Sequence, residues 1–372
     1  MIQILDKYNC CGCNACVQKC PKQCIYMQED EEGFLYPDVD LDKCIDCLLC
    51  EKVCPCLNQE RPKKPLACYS AKNTNEDIRR QSSSGGIFTA IAEKVIAEDG
   101  VVFGARFDDS WQVVHSYTDN FEGLTSFRGS KYVQSKIGES FKHVELFLDE
   151  GRKVLFSGTP CQISGLYHFL RKEYDNLLMI EVVCHGVPSH KIWQEYLQSL
   201  RLPDIGSISY KDKSTGWRGY SFTIKDTEGK IVFTEKASDN KYLMAFSCNL
   251  TLRPSCFSCP AKAGKSRADI TIADYWGIEH LVPHMDDNKG TSFICGNTQK
   301  GKTLIEQLNI EIYVADYTQS VPYNSCIEKS TSEPRDRQQF WDNYQENGIN
   351  TLFTLKKRTQ NILKRIIKRI LR

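Results

Sequence analysis

Cys10, Cys13, Cys16 and Cys20-Pro21 stand in the spacing C-x2-C-x2-C-x3-C-P, and Cys44, Cys47, Cys50 and Cys54-Pro55 repeat it. Three closely spaced thiols wrap one face of a four-iron cube, and in the bacterial two-cluster pattern each proline-followed fourth cysteine serves the other cube. The spacing therefore assigns Cys10, Cys13, Cys16 and Cys54 to one 4Fe–4S cluster, and Cys44, Cys47, Cys50 and Cys20 to a second. A tetrahedral zinc site would use two C-x2-C pairs and leave cysteines over. Cys11, Cys24 and Cys56 remain, and they read as buried small hydrophobes. No C-x3-C is followed by a cysteine three positions on, so the radical-generating arrangement is absent.

A sparser set follows: Cys161 in GTPCQ, Cys184 in VCHG, Cys248, and the pair Cys256 and Cys259 in RPSCFSCP. Spacing makes Cys161, Cys184, Cys256 and Cys259 the best candidates for a third cluster. A mixture of core thiols with one structural metal fits that spacing equally well.

Three segments have the residue types of a phosphate cradle. Ser83, Ser84, Gly85 and Gly86 precede a helix-period run, and small residues at a helix N-terminus free backbone N–H groups to face an anion. A serine-capped helix with a tight first turn explains the same residues. Arg128, Gly129, Ser130, Lys131 and Tyr132 add two cations and an aromatic ring beside a glycine. Gly158, Thr159, Pro160 and Gln162 flank Cys161, after a buried strand and at the start of a helix, where α/β sheets bind ligands. Three such loops suggest a nucleotide-sized cofactor. GNTQKGKT (296–303) matches the P-loop pattern, with Asp316 as a would-be magnesium partner, yet fewer than seventy residues follow it. A P-loop domain needs further βα units after the loop, so a strand, polar turn and helix are expected instead. No G-x-G-x-x-G is present.

These residues need elements to hold them. Residues 1–57 are cysteine-dense with little periodicity, as where metal replaces a core, and 58–66 (NQERPKKPL) is a polar linker. Buried-strand runs at 101–107, 154–157 and 177–183 alternate with helix-period segments at 85–98, 141–148, 162–170 and 190–200. Alternation from 205 to 235 reads as an antiparallel β insertion. The fold expected is an α+β two-cluster ferredoxin module followed by a larger α/β domain with an antiparallel β insertion.

With its motifs in view, the chain resembles the beta-subunit family of coenzyme F420 hydrogenases and dehydrogenases, which includes 7-hydroxymethyl chlorophyll a reductase. SSSGG (82–86), RGSKY (128–132), GTPCQ (158–162), CHG (184–186), RPSCFSC and ADITIADYWG (268–277) carry the resemblance, in family order over roughly 67–310. The resemblance implies an FAD-binding region at 67–150 and a region at 151–320 holding flavin and a third cluster, followed by an extension at 321–372. It turns the three small-residue loops into flavin contacts. One departure is Ala273 before Asp274, where the motif often has glycine.

Composition sets the remaining expectations. The 19 cysteines of the 372-residue chain stand without a signal-peptide pattern, so metal or redox chemistry in the cytoplasm is expected rather than disulfides. The net charge of +1 hides a tail, 356–372, with eight basic and no acidic residues; the body carries 40 basic against 47 acidic. Residues 352–372 interleave apolar and cationic positions at helical spacing, suited to peripheral contact with an anionic membrane inner face or to docking on protein. The acidic body argues against nucleic acid. Function is expected to be that of an iron–sulfur flavoprotein oxidoreductase, with an electron donor or acceptor protein such as ferredoxin and a small organic substrate. The alternatives are an electron-transfer subunit without substrate chemistry and a binding module with structural clusters. His185, beside Cys184, is the nearest candidate proton donor, or else it orients a cluster ligand.

Overall fold

The computed structural model describes residues 1–356. The two cysteine loops lead into short helices, Ala15–Lys19 and Leu49–Lys52. Between them β1 (Ile25–Glu29) and β2 (Leu35–Val39) pair antiparallel, with Asp30 accepting the N–H groups of Glu32 and Phe34 to close the turn.

The larger domain is built on an eight-stranded mixed sheet. Its strands are β3 (Ala67–Asn73), β4 (Val101–Phe107), β5 (Val113–Thr118), β6 (Val154–Gly158) and β7 (Leu177–Val182). After a separate three-stranded sheet of β8 (Ile205–Asp212), β9 (Ser221–Asp226) and β10 (Ile231–Lys236) come β11 (Ile270–Asp274), β12 (Ser292–Gly296) and β13 (Ile310–Val314). The order is β13-β3-β12-β11-β7-β6-β4-β5. Strands β4, β6, β7 and β11 run parallel, while β12 is antiparallel to both β11 and β3. The strand that leads into the GNTQKGKT segment, β12, thus lacks the parallel neighbours of a P-loop sheet, and Asp316 caps the short helix Tyr317–Ser320, accepting from the N–H groups of Thr318 and Gln319.

Period-two alternation divides the sheet between two cores. Val154 and Phe156 face the helices Ser140–Asp149 and Pro160–Leu170, while Leu155 faces Ile87–Ala97 and Gln299–Gln307. Cys11, Cys13, Ala15 and Val53 join the first of these cores, so the cysteine-rich module is docked on the side of the helices Ser140–Asp149 and Pro160–Leu170. The linker is pinned as well: the Lys63 N–H donates to Ala263 O at 2.9 Å and Arg267 pairs with Glu60. A third core joins Trp193, Tyr196 and Tyr242 to the three-stranded sheet and to Phe340, Trp341 and Tyr344 of the helix Arg337–Asn347. Part of the segment read as an extension therefore belongs to the globular core. Among the described residues no helix is long and apolar enough to cross a membrane. The basic helix expected at 352–372 lies, from residue 357 on, outside the described residues.

Candidate functional site

The first cysteine set converges inside the molecule. Cys10, Cys13, Cys16 and Cys54 are all buried. Charges on Cys10 and Cys13 are felt at Cys16, and that on Cys13 is felt at Cys54. The second set, Cys20, Cys44, Cys47 and Cys50, lines one cavity near the surface together with Cys24, and Cys47 is exposed. The Ile2 N–H points at Cys50 Sγ from 3.3 Å, the kind of donor that steadies a thiolate.

Cys161, Cys184, Cys256 and Cys259 also come together, although they are spread over 99 positions of sequence. The Cys184 thiol feels charges on the other three, and burial pushes it well above its usual range. Burial likewise raises Cys256 to about 11 and Cys259 to about 12. A buried thiolate needs a compensating cation, and iron supplies one. Among the described residues no three His, Cys, Asp or Glu side chains meet at one point as a single ion requires.

The three leftover cysteines of the module pack as small apolar side chains, Cys11 and Cys24 buried and Cys56 half-buried against both of their cores. Cys24 Sγ lies 3.4 Å from Cys20 Sγ. Cys11 and Cys13 are buried in one core, and Cys56 and Cys161 pack against it, so that core joins the first set to the third. Close approach of the module is permitted by Gly165: a Cβ there would lie 2.8 Å from Cys13 Cβ.

The three small-residue loops share one edge of the sheet, beyond the carboxyl ends of β3, β4 and β6. The Ser130 N–H donates to Ser83 Oγ at 2.7 Å, tying the first loop to the second. Gln162 Nε2 of the third loop donates to Ser135 Oγ at 2.8 Å, three residues beyond the second. Ser84 Oγ donates to Thr291 O and the Gly85 N–H to Ser292 Oγ, while Gly86, with φ of 80°, caps the following helix. Thr159 and Gln162 form a capping box around Pro160. Arg128 donates to Gln81 Oε1, and Lys131 donates to the carbonyls of Ser126, Arg128 and Gly129. Lys131 therefore shapes its own loop, while Arg128 reaches across to the residues flanking the first. Tyr132 stacks on Phe246 with centroids 4.9 Å apart.

Several participants carry no signature of their own in the sequence. His115 Nε2 donates to Ser157 O at 2.9 Å, so its Nδ1 accepts the Ser135 hydroxyl at 2.8 Å; burial keeps the ring neutral, with its pKa near 4. Lys262, buried, donates to Cys184 O and to Cys326 O. His185 is engaged at both nitrogens, by Asn249 Oδ1 at 2.6 Å and by Cys326 Sγ at 3.7 Å. Arg253 reaches Cys10, and its only cue is its place in RPSCFSC beside a cysteine pair.

The fold and the cysteine pattern define an iron–sulfur, electron-transfer class of protein on an α/β sheet. Residues 9–58 match the 4Fe-4S dicluster domain. Residues 68–142 match the N-terminal part, and 151–319 the C-terminal part, of the coenzyme F420 hydrogenase/dehydrogenase beta subunit. The chain belongs to that beta-subunit family. An uncharacterized protein of Methanocaldococcus jannaschii is 27% identical over 208 residues, covering 47% of this chain and 56% of its own. An uncharacterized ferredoxin of the same organism is 36% identical over 52 residues, 14% of this chain and 66% of its own. The chain thus spans less than two thirds of the length of either curated relative. Among solved structures, a chain of the F420-reducing NiFe hydrogenase complex from Methanosarcina barkeri aligns with a TM-score of 0.47 at 17% identity, covering 73% of this chain and 97% of its own.

Proposed function

We propose that the chain is an iron–sulfur flavoprotein oxidoreductase that passes electrons between a protein partner such as ferredoxin and a small organic substrate. Cys10, Cys13, Cys16 and Cys54 hold one cube, Cys20, Cys44, Cys47 and Cys50 a second, and Cys161, Cys184, Cys256 and Cys259 a third. Residues 83–86, 128–132 and 158–162 hold FAD at the carboxyl edge of the sheet. When bound, a flavin exchanges single electrons with the cubes and a hydride with an organic molecule. The observation that carries this reading is the junction at Cys11: one core holds Cys11 and Cys13 of the module, and Cys56 and Cys161, the latter at the start of the helix Pro160–Leu170, pack against it. Cys161 lies in the same turn as Thr159 and Gln162, so the junction links the first cube to the third and to the flavin loops. The surrounding protein excludes water, and Lys262 offsets negative charge at the third set.

The family description as a beta subunit favours a second reading, in which a partner subunit carries the substrate chemistry. Anaerobic purification followed by iron, sulfide and flavin analysis tests the first. About twelve irons with one FAD supports the relay, the count three cubes would give. About eight irons without flavin refutes it. Turnover by the isolated chain with an artificial donor separates the enzyme from the subunit.

A further inference from the structure

Arg253 is 1% exposed and spans the gap between the cysteine-rich module and the large domain. Its Nε donates to Cys10 O at 2.7 Å, and its two terminal nitrogens donate to Leu35 O at 2.9 Å, to Gln134 Oε1 at 3.2 Å and toward Cys10 Sγ at 3.6 Å. The guanidinium lies 4.2 Å from the centroid of the Tyr36 ring. Gly12 makes room for it, because a Cβ there would stand 2.8 Å from the guanidinium nitrogen. These hydrogen-bond partners are carbonyls, an amide and a sulfur, with no carboxylate among them. Arginine does not deprotonate in proteins, so a full positive charge is fixed inside the molecule against one cysteine set.

Among the described residues the second set has no buried equivalent: its cavity is lined by Lys22, which is exposed, and by Met1, whose ammonium is already paired with Asp46 and Glu51. Solvent reaches Cys47 and can stabilise added negative charge there, whereas burial penalises a reduced cube at Cys10. Net charge, hydrogen bonds to sulfur and exposure are the quantities that set a cube's potential.

We infer that Arg253 is a positioning residue that raises the reduction potential of the buried cube of Cys10, Cys13, Cys16 and Cys54, so that it can take electrons from the exposed cube. The inference rests on the cluster assignment proposed above. Removing the positive charge disfavours the reduced state of that cube and leaves the other cube as an internal reference.

The test is an EPR-monitored redox titration of the full chain, with iron and sulfide counted in each sample. Arg253→Met is expected to shift one cube's reduction equilibrium at least tenfold toward the oxidised form, a fall of about 59 mV for a one-electron couple. Arg253→Lys, which keeps the charge but loses the fork to Cys10 O and Leu35 O, is expected to stay within about threefold of wild type. Gln134→Glu keeps Arg253 in place and cancels its charge, so it is expected to lower the same cube's potential even if Arg253→Met fails to load. Unmoved potentials in fully loaded Gln134→Glu, or equal falls in the Lys and Met variants, would overturn the inference. A wild-type count below eight irons refutes the cluster assignment instead, so the two failures are distinguishable.

Discussion

The two halves of the cysteine repeat are close copies in sequence and occupy opposite environments. Each third-cysteine helix starts from a residue with left-handed backbone, Asn14 at φ 66° and Leu48 at φ 59°. Asparagine tolerates that conformation, whereas for leucine it costs about 1–2 kcal/mol. Asn14 is also used, its amide donating to Gly138 O of the large domain. Leu48 faces solvent at 40% exposure, in the same half as Leu41 at 63% and Ile45 at 59%. One half is pressed against Gly165 and Arg253, and the other is an exposed apolar surface of the sort that marks interaction sites. A ligand motif specifies the cube it can hold and says nothing of which cube faces a partner.

Ligand removal should separate the halves most. Cys13→Ala and Cys47→Ala are each expected to lose about four irons, the content of one cube. Only the first should also lower the melting temperature of the large domain by circular dichroism, since Cys13 is part of its core. Equal melting curves would break the contrast.

Acid should weaken only the inner half's support. Ser135, bonded to His115, is next to Gln134, whose amide donates to Cys11 O at 3.1 Å. Burial lowers the His115 pKa from 6.5 to about 4, so below pH 6.5 the unfolded chain binds the extra proton. The stability from neutral His115 is full above that pH and falls by up to about 3 kcal/mol as pH drops toward 4. Urea unfolding across this range should show the slope in wild type and a flatter one in His115→Gln.

Gly165→Val should drive a methyl group into Cys13 and cost about 1–3 kcal/mol, read as a lower urea midpoint. The smallest effect belongs to the outer half. Ile45→Glu is expected to slow reduction by a protein donor about tenfold, roughly 1.4 kcal/mol, with dithionite reduction unchanged. Slowing with both donors would mean that Ile45 supports the cube rather than a docking surface.

The ligand spacing, the strands expected at 101–107 and 154–157 and the helix that follows the second were legible in the sequence, whereas β5, the strand after the first, was not. Cube ligation and backbone periodicity are local, so their signatures sit within a few residues of each other. The β insertion could be read from its alternation, and the P-loop look-alike could be set aside from the length that follows it. Cys11 and Cys56 pack in the core as their residue type suggests, but that Cys161 packs against the same core has no local cue in the sequence. His115 had no cue at all.

What the sequence by itself determined is therefore the chemistry: eight cysteines whose spacing suits two cubes, loops of small residues, and an α/β frame to carry them. The tertiary structure decided the arrangement. It buried one half of the repeat and exposed the other, brought Cys161 to Cys11, and set Arg253 on Cys10 across 243 positions of chain. Contacts of that separation are chosen by packing of whole elements, by which face of the sheet the module covers, and no local pattern records that choice.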